Sequence, residues 1–397
     1  MTSVTKGKLH FLLLTTALLA PLSATYAAPP RDKDLQIISI DVEGGGGTLF
    51  VTPEGKSMLI DAGWADGNRS TGAKDSSDRF VDTLHSFGIT KVDYFVMTHY
   101  HADHIGGFSS LFHKMPIGTF IDHGANVQLN APGGAPPGAP PAGAAPANAA
   151  PAAAGAPPAA GRGGPRGKSS EELYQEYIGL IKGHPHIVAV PGQKLNIGSM
   201  QVLFVASNNK TIEMGKVPGA GGSDPYCAHF ENHPRDGGIE NVYSLGMLIT
   251  FHKTRITELG DLTWNREQDL FCPNHIGPVD VEIAAGHAMD LSGSPASVNG
   301  LRAQVVIVPN GQTKGGDVPV LKAYYAEPRL QGLWKLHTNP QHHETDGDLN
   351  MIANVQDDNS KDQYFNLRVR VSPAGQITVI NERNGYNKTY TARGTKD

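Results

Sequence analysis

The chain has only two cysteines, Cys227 and Cys272, and they are not in a CxxC spacing. That argues against a thiolate zinc site, since two cysteines alone make a poor shell for the ion. In an oxidising compartment such a pair closes one structural bridge, and "DPYCAHF" and "LFCPNH" both read as loop segments. Positive charge is also in short supply: 33 Lys and Arg stand against 38 Asp and Glu, a net of −5. An acidic balance gives no general footprint for gripping phosphate backbones, although it leaves room for a local basic groove. Nucleic acid is therefore disfavoured as the main partner. The sequence offers no Ser-His-Asp or Cys-His pattern for a covalent nucleophile, and no apolar run of membrane-spanning length.

The first residues read as an export signal. Lys6 and Lys8 supply a positive start, "FLLLTTALLAPL" (11–22) is apolar but short, and Thr25 and Ala27 suit a cut after Ala27. Residues 1–27 carry two lysines and no acid, so the mature chain has a net charge of −7. It is expected to be periplasmic or secreted, with no membrane contact after cleavage. Residues 28–397 are expected to form one domain of α/β class.

Three β-branched runs open that domain: "LQIISIDV" (35–42), "GTLFVTP" (47–53) and "SMLIDAG" (57–63), a strand meander. Helical spacing follows at 78–89, then a buried strand over 92–99, a helix over 107–115 and a strand over 117–123. Residues 131–168 are nearly all Ala, Pro and Gly, and offer no side chain large enough to drive packing; they read as an insertion within the domain. The strand-helix pattern resumes with a capped helix over 169–183, strands and hairpins over 186–190, 194–207 and 241–262, strands over 279–287 and 303–310, and a helix over 317–332. Residues 365–390 read as a terminal hairpin.

The informative stretch is "THYHADHIGG" (98–107), with His99, His101, Asp103 and His104 in six positions. Residues two apart in an extended turn project the same way, so His99 and His101 can face one ion while Asp103 and His104 face a second. A helix cap would need one Asp and no histidine. The two glycines that follow let the chain turn into the next helix without a Cβ clash.

This HxHxDH-GG pattern resembles the signature of the metallo-β-lactamase-fold hydrolases. "MLIDAG" (58–63) is similar to that family's early strand, which would make Asp61 the group that holds the histidine loop. "ITELGDLT" (256–263) looks like the strand that supplies a bridging carboxylate, here Asp261, and "EIAAGHAMD" (282–290) like the strand that supplies a last histidine, here His287. The resemblance implies an αββα sandwich with metals between two sheets at one edge. Within the family the look is nearest to the competence-type (DNA-uptake) branch, through the opening hairpin and "NVYSLGMLITFHKTRITELGDL" (241–262).

Two departures stand out. Gly286 precedes His287 where that branch shows a pair of histidines. The slot for a third histidine on the first ion falls in "GGIENVYS", where none stands. His123, His229, His233, Glu240 and Asn241 are the alternatives, with His233 or Glu240 preferred. The resemblance implies a probable pair of Zn2+ ions per chain sharing a hydroxide, with Asp103 or Asp261 handling the leaving group's proton. The expected substrate is a small molecule or phosphodiester, or a cyclic amide or ester such as a β-lactam or lactone. The rival is a degenerate member that binds metal or ligand without turnover. Two weaker signals have blander readings: "EGGGG" (43–47) as a hairpin turn, and "HTNPQHHETDGD" (337–348), with His337, His342 and His343, as a solvated loop.

Overall fold

The computed structural model describes residues 1, 33–68, 74–128, 167–235, 238–357 and 363–395. The signal segment 1–27, apart from its first residue, and most of the insert 131–168 lie outside the described residues. Among the described residues no helix is long and apolar enough to cross a membrane.

The first half contributes strands β1 (Leu35–Ser39), β2 (Thr48–Val51), β3 (Ser57–Ile60), β4 (Val92–Val96), β5 (Ile117–Asp122) and β6 (His186–Val188). The second contributes β7 (Lys194–Ile197), β8 (Met200–Ser207), β9 (Lys210–Thr211), β10 (Gly246–Phe251), β11 (Thr254–Glu258), β12 (Val281–Ile283), β13 (Val305–Val308), β14 (Gly332–His337) and β15 (Ile352–Asn354). The chain then returns to the first sheet with β16 (Leu367–Val371), β17 (Gln376–Asn381) and β18 (Asn387–Thr391). The sheet orders are β18-β17-β16-β1-β2-β3-β4-β5-β6 and β15-β14-β13-β12-β11-β10-β8-β7, with β9 beside β8. In each sheet an antiparallel part passes into a parallel one, at β3–β4 and at β11–β12.

Alternate residues decide the layers. Ile37, Phe50, Met58 and Ile60 point inward to meet Met247, Ile249, Val281, Ile307 and Trp334 of the opposite sheet. Their neighbours Ile38, Leu49, Leu59 and Phe95 point outward beneath helices α1 (Ser76–Ser86), α2 (Ala102–Ile105), α3 (Phe108–Lys114) and α4 (Ser170–Ile181). On the far side Val205 and Val306 are covered by α5 (Trp264–Phe271), α6 (Pro295–Leu301) and α7 (Val318–Ala326). Strands buried on both faces read as continuous apolar runs, as "VVIV" of β13 does. The architecture is an αββα sandwich, as the motif's resemblance implied.

Several elements differ from the sequence reading. The helix expected over 317–332 stops at Ala326, because Pro328 disfavours helical backbone at Glu327, and β14 follows it. The terminal hairpin has a third strand, β18, and its first strand pairs with β1. The capping box expected for the helix after the insert is present: Ser169 Oγ accepts from Glu172 N, and Glu172 reaches back to Ser169 N. Cys227 and Cys272 are bonded, tying the loop around 225–229 to the end of α5.

One buried acid beneath the second sheet makes stability depend on pH. Glu282 is buried on β12, where desolvation pushes its carboxyl up to about 8, although Tyr324 Oη donates to it at 2.6 Å. The folded chain thus holds a proton that the unfolded chain releases above the ordinary glutamate value of 4.5. This contribution is complete below 4.5 and is lost as pH rises through about 8. The melting temperature should fall between about pH 5 and about pH 9, and Glu282→Gln, which keeps the Tyr324 acceptor, should fall less. Parallel melting curves for the two proteins across that range would test this; identical pH dependence would refute it.

Candidate metal centre

The carboxyl ends of β3, β4, β11 and β12 meet at one edge of the sandwich, the usual place for chemistry in an open α/β sheet. Asp61 follows β3, the histidine loop follows β4, Asp261 follows β11 and His287 follows β12. Backbone bonds lace these loops together. Ala62 N donates to His104 O at 2.7 Å, Gly46 N to Asp103 O at 2.9 Å, and Gly286 N to Gly260 O at 2.9 Å.

Four buried side chains converge there: Asp103, His104, Asp261 and His287. His104 Nε2 lies 3.1 Å from His287 Nε2, 3.2 Å from Asp103 Oδ2 and 3.2 Å from Asp261 Oδ1. His287 Nε2 lies 3.4 Å from Asp103 Oδ2 and 3.3 Å from Asp261 Oδ1. Ion–donor bonds of ~2.0–2.2 Å place tetrahedral donors about 3.3–3.6 Å apart. The observed edges match that figure closely, so the donor set fits one divalent ion.

Each imidazole is aimed by its other nitrogen. His287 Nδ1 donates to Pro309 O at 3.1 Å, and a carbonyl can only accept, so the Nε2 lone pair faces the cluster. His104 Nδ1 meets Asp61 Oδ2 at 2.6 Å. Asp61 is itself fixed by Thr98, whose N and Oγ1 donate at 2.8 and 2.7 Å. Gly46 closes the back of this pair. A Cβ there would sit 2.5 Å from His104 Nδ1 and 2.6 Å from Asp61 Oδ2, so a side chain cannot be accommodated. "EGGGG" lies in the loop that joins the antiparallel strands β1 and β2, as the hairpin reading has it, and also forms the packing surface for the histidine loop. Gly106 and Gly107 have ordinary helical angles; what they supply is room against the backbone of residues 62–65 and 102.

Electrostatics follow from this crowding. Burial by itself raises the pKa of Asp103 and Asp261, but nearby positive charge and hydrogen bonds overcome it. Lys314 and His104 hold Asp103 well below the usual carboxylate range, and His104 and His287 do the same for Asp261. Burial pushes His99 well below the usual imidazole value, with His104 adding to the effect, so its ring is neutral.

The other candidate residues are placed less uniformly. His99 is fully buried, its ring 4.0 Å from that of His104, and its Nε2 has no hydrogen-bond partner. That nitrogen faces the second oxygen of Asp261, Oδ2, at 3.9 Å. His101 Nε2 instead donates to Gln128 Oε1 at 2.8 Å. Glu240 is buried but committed elsewhere: Oε1 accepts from Tyr100 N at 3.2 Å and His123 Nε2 at 2.8 Å, and Oε2 from Val127 N at 3.1 Å. It anchors the backbone between His99 and His101. His233 stands apart from the four converging donors; its ring lies against Trp264 and its Nδ1 against Arg235 O at 2.7 Å.

Two features were not anticipated. Lys314 Nζ contacts Asp103 Oδ2, donates to Gly44 O at 2.8 Å, and stands 5.3 Å above the Trp64 ring. Its signal in the sequence was a lone cation in "NGQTKGGD" after a buried strand. The second is a buried cluster of Asp41, Glu43 and His337, which could also hold an ion. His337 Nε2 meets Asp41 Oδ1 at 2.8 Å, and the Arg79 guanidinium lies 3.5 Å from Asp41 Oδ2. With that cation in place, the cluster ties the glycine loop to β14. His342 and His343, expected beside His337, are exposed.

Residues 43–187 of the chain match the family model described as "Metallo-beta-lactamase superfamily". No curated protein sequence matches the chain. Solved structures do. The metallo-beta-lactamase fold protein YhfI from Bacillus subtilis is 14% identical over 77% of this chain and 96% of its own, with a TM-score of 0.41. CmlA, a diiron beta-hydroxylase from Streptomyces venezuelae, is 12% identical over 77% of this chain but only 53% of its own, with a TM-score of 0.37. A diphosphatase from the PhnP family is 12% identical over 76% of this chain and 94% of its own, with a TM-score of 0.36. Likenesses at this level decide no activity.

Losing the group that aims a ligand typically lowers metal affinity about 10–100-fold. Asp61→Ala should do so while retaining the fold, and His233→Ala should leave affinity unchanged. Competition titrations with a chromogenic chelator would measure both; equal effects of the two changes would contradict the assignment.

Proposed function

We propose that the protein is an exported, metal-dependent hydrolase that loads zinc, with a phosphodiester or a cyclic amide or ester as substrate. The observation that carries this reading is the convergence of Asp103, His104, Asp261 and His287 at tetrahedral spacing. Imidazole and carboxylate together suit zinc. Because four protein donors fill a tetrahedral shell, an ion there would acidify a water and polarise a carbonyl or phosphoryl oxygen only through a fifth position or by one carboxylate turning aside. His99 Nε2, buried and unpartnered, together with Asp261 Oδ2 and the nearby His101, supports a second ion.

The chain's own groups then have distinct tasks. Asp61 and Pro309 O keep the imidazoles of His104 and His287 aimed. Asp103 and Asp261, ionised at neutral pH, are the acceptors to take a proton from the attacking water and hand it to the leaving group. Lys314, beside Asp103, offers an ammonium to negative charge that develops on the substrate. Export is supported by the segment 1–27 and by the Cys227–Cys272 bond, which suits an oxidising compartment.

Metal analysis and a small substrate panel test the proposal. Purified protein should hold close to two zinc equivalents and turn over a bis-aryl phosphodiester, a chromogenic cephalosporin or an aryl lactone. His104→Ala should lose metal and at least about a hundredfold of that rate. Full zinc loading with no turnover on any of the three would favour the non-catalytic reading. One equivalent would restrict the centre to the four converging donors.

A further inference from the structure

The outer face of the second sheet is only partly covered by helices. Where β7, β8, β10 and β11 lie outside that cover, the surface is concave. A cavity of about 790 Å³ is lined by Lys194, Lys216, Lys253, Arg255 and Arg393 over a floor that includes Leu203 and Leu248. A second cavity of about 770 Å³ shares Lys194, Leu203 and Lys216 with the first and adds Lys210. The two form one continuous groove.

The groove is built, not frayed. Its far wall is the C-terminal segment, held down by the buried Asp280, whose Oδ1 accepts from Arg393 N at 2.7 Å and Gly394 N at 2.9 Å. Arg329 Nη2 donates to Gly394 O at 3.1 Å, and Ala392 N to Gly375 O at 2.7 Å. Arg255 turns its guanidinium onto the carbonyls of Ile276 and Pro278 and so belongs to the floor. The side chains of Lys194, Lys216, Lys253 and Arg393 are exposed. Among the described residues no carboxylate lines the first cavity; Glu213, in the second, lies 3.7 Å from Lys216. Such a cluster is conspicuous on a chain whose net charge is −5.

We propose that this groove binds a soluble linear polyanion, a chain of repeated phosphate groups, apart from the metal centre. Shape and spacing select that class. Lys194 pairs with Leu203, Leu203 with Leu248, and Lys253 stands in the turn from β10 into β11, just past the Phe251–Thr254 pair. Strands about 4.8 Å apart and a rise of about 3.4 Å per residue separate the Lys194 and Lys253 backbones by about 20 Å. A single phosphate cannot bridge that distance, and a flat bilayer cannot follow a concave floor. A chain of phosphates can engage the cations in turn and relieve their mutual repulsion. The groove lies at the amino end of β11 and the metal centre beyond its carboxyl end, on the order of 15–20 Å away. The inference therefore stands independently of the hydrolase reading.

Linear polyphosphate, titrated into the purified protein at low salt, is the probe. Saturable binding is expected, weakening as salt rises, and inorganic phosphate alone should bind at least about tenfold more weakly. The double charge reversal K194E/K253E should weaken polyphosphate binding at least about tenfold and flatten its salt dependence, with melting temperature and metal content unchanged. K194Q/K253Q replaces it if the reversal impairs folding. Binding should persist in His104→Ala, which separates the groove from the metal centre. Absence of saturable binding, equal binding by the double variant, or loss in His104→Ala would overturn the proposal. So would stronger capture on anionic phospholipid vesicles than by polyphosphate.

Discussion

Ionised carboxylates buried in the seam between two sheets are costly unless each faces an opposite charge or a cation. Asp103 and Asp261 meet that condition by converging with His104 and His287 on a point that suits a divalent cation, and Lys314 adds a positive charge beside Asp103. Much of the surrounding structure serves this arrangement. Asp61 aims one ring, Pro309 O the other, and Glu240 holds the backbone of the histidine loop. The glycine loop lies against the first pair because nothing larger than hydrogen fits at Gly46. Asp41, Arg79 and His337 then tie that loop to the opposite sheet.

The sandwich thereby uses its two ends differently. At the carboxyl ends of β3, β4, β11 and β12, short loops bring donors from both sheets within bonding range of one another. At the opposite end of β11, the tail and the turn after β10 enclose a cationic hollow. A modest negative net charge conceals this division, since it averages an acidic centre and a basic groove over one surface.

Much of the fold was legible because hydrophobic periodicity reports burial directly. The opening meander, the buried strand before the histidine loop and the capped helix after the insert all stand where their patterns placed them. Failures came where periodicity is ambiguous. "GLWKLH" could prolong the preceding helix by its pattern, yet Pro328 ends that helix and the segment pairs with β13. Helices α5 and α6 went unread because each is short and begins at a Thr or Ser cap inside loop-like sequence. At the site, the dense motif was readable from its spacing and its three partners from the family resemblance, but Lys314 was not. It is a single lysine among glycines, and only folding brings it to Asp103, 211 positions away.

The amino-acid sequence alone pointed to the α/β class, the disulfide pair and the histidine motif, because local spacing and residue chemistry carry that information. The αββα layers and the partners Asp261 and His287 came from the resemblance of those motifs to a family. Only the tertiary structure decided which donors share a point, that His101 turns to Gln128, and that Glu240 serves the backbone. It also decided where the scattered lysines gather. Such outcomes depend on contacts between residues far apart in the chain, and side-chain direction at those contacts is set by packing.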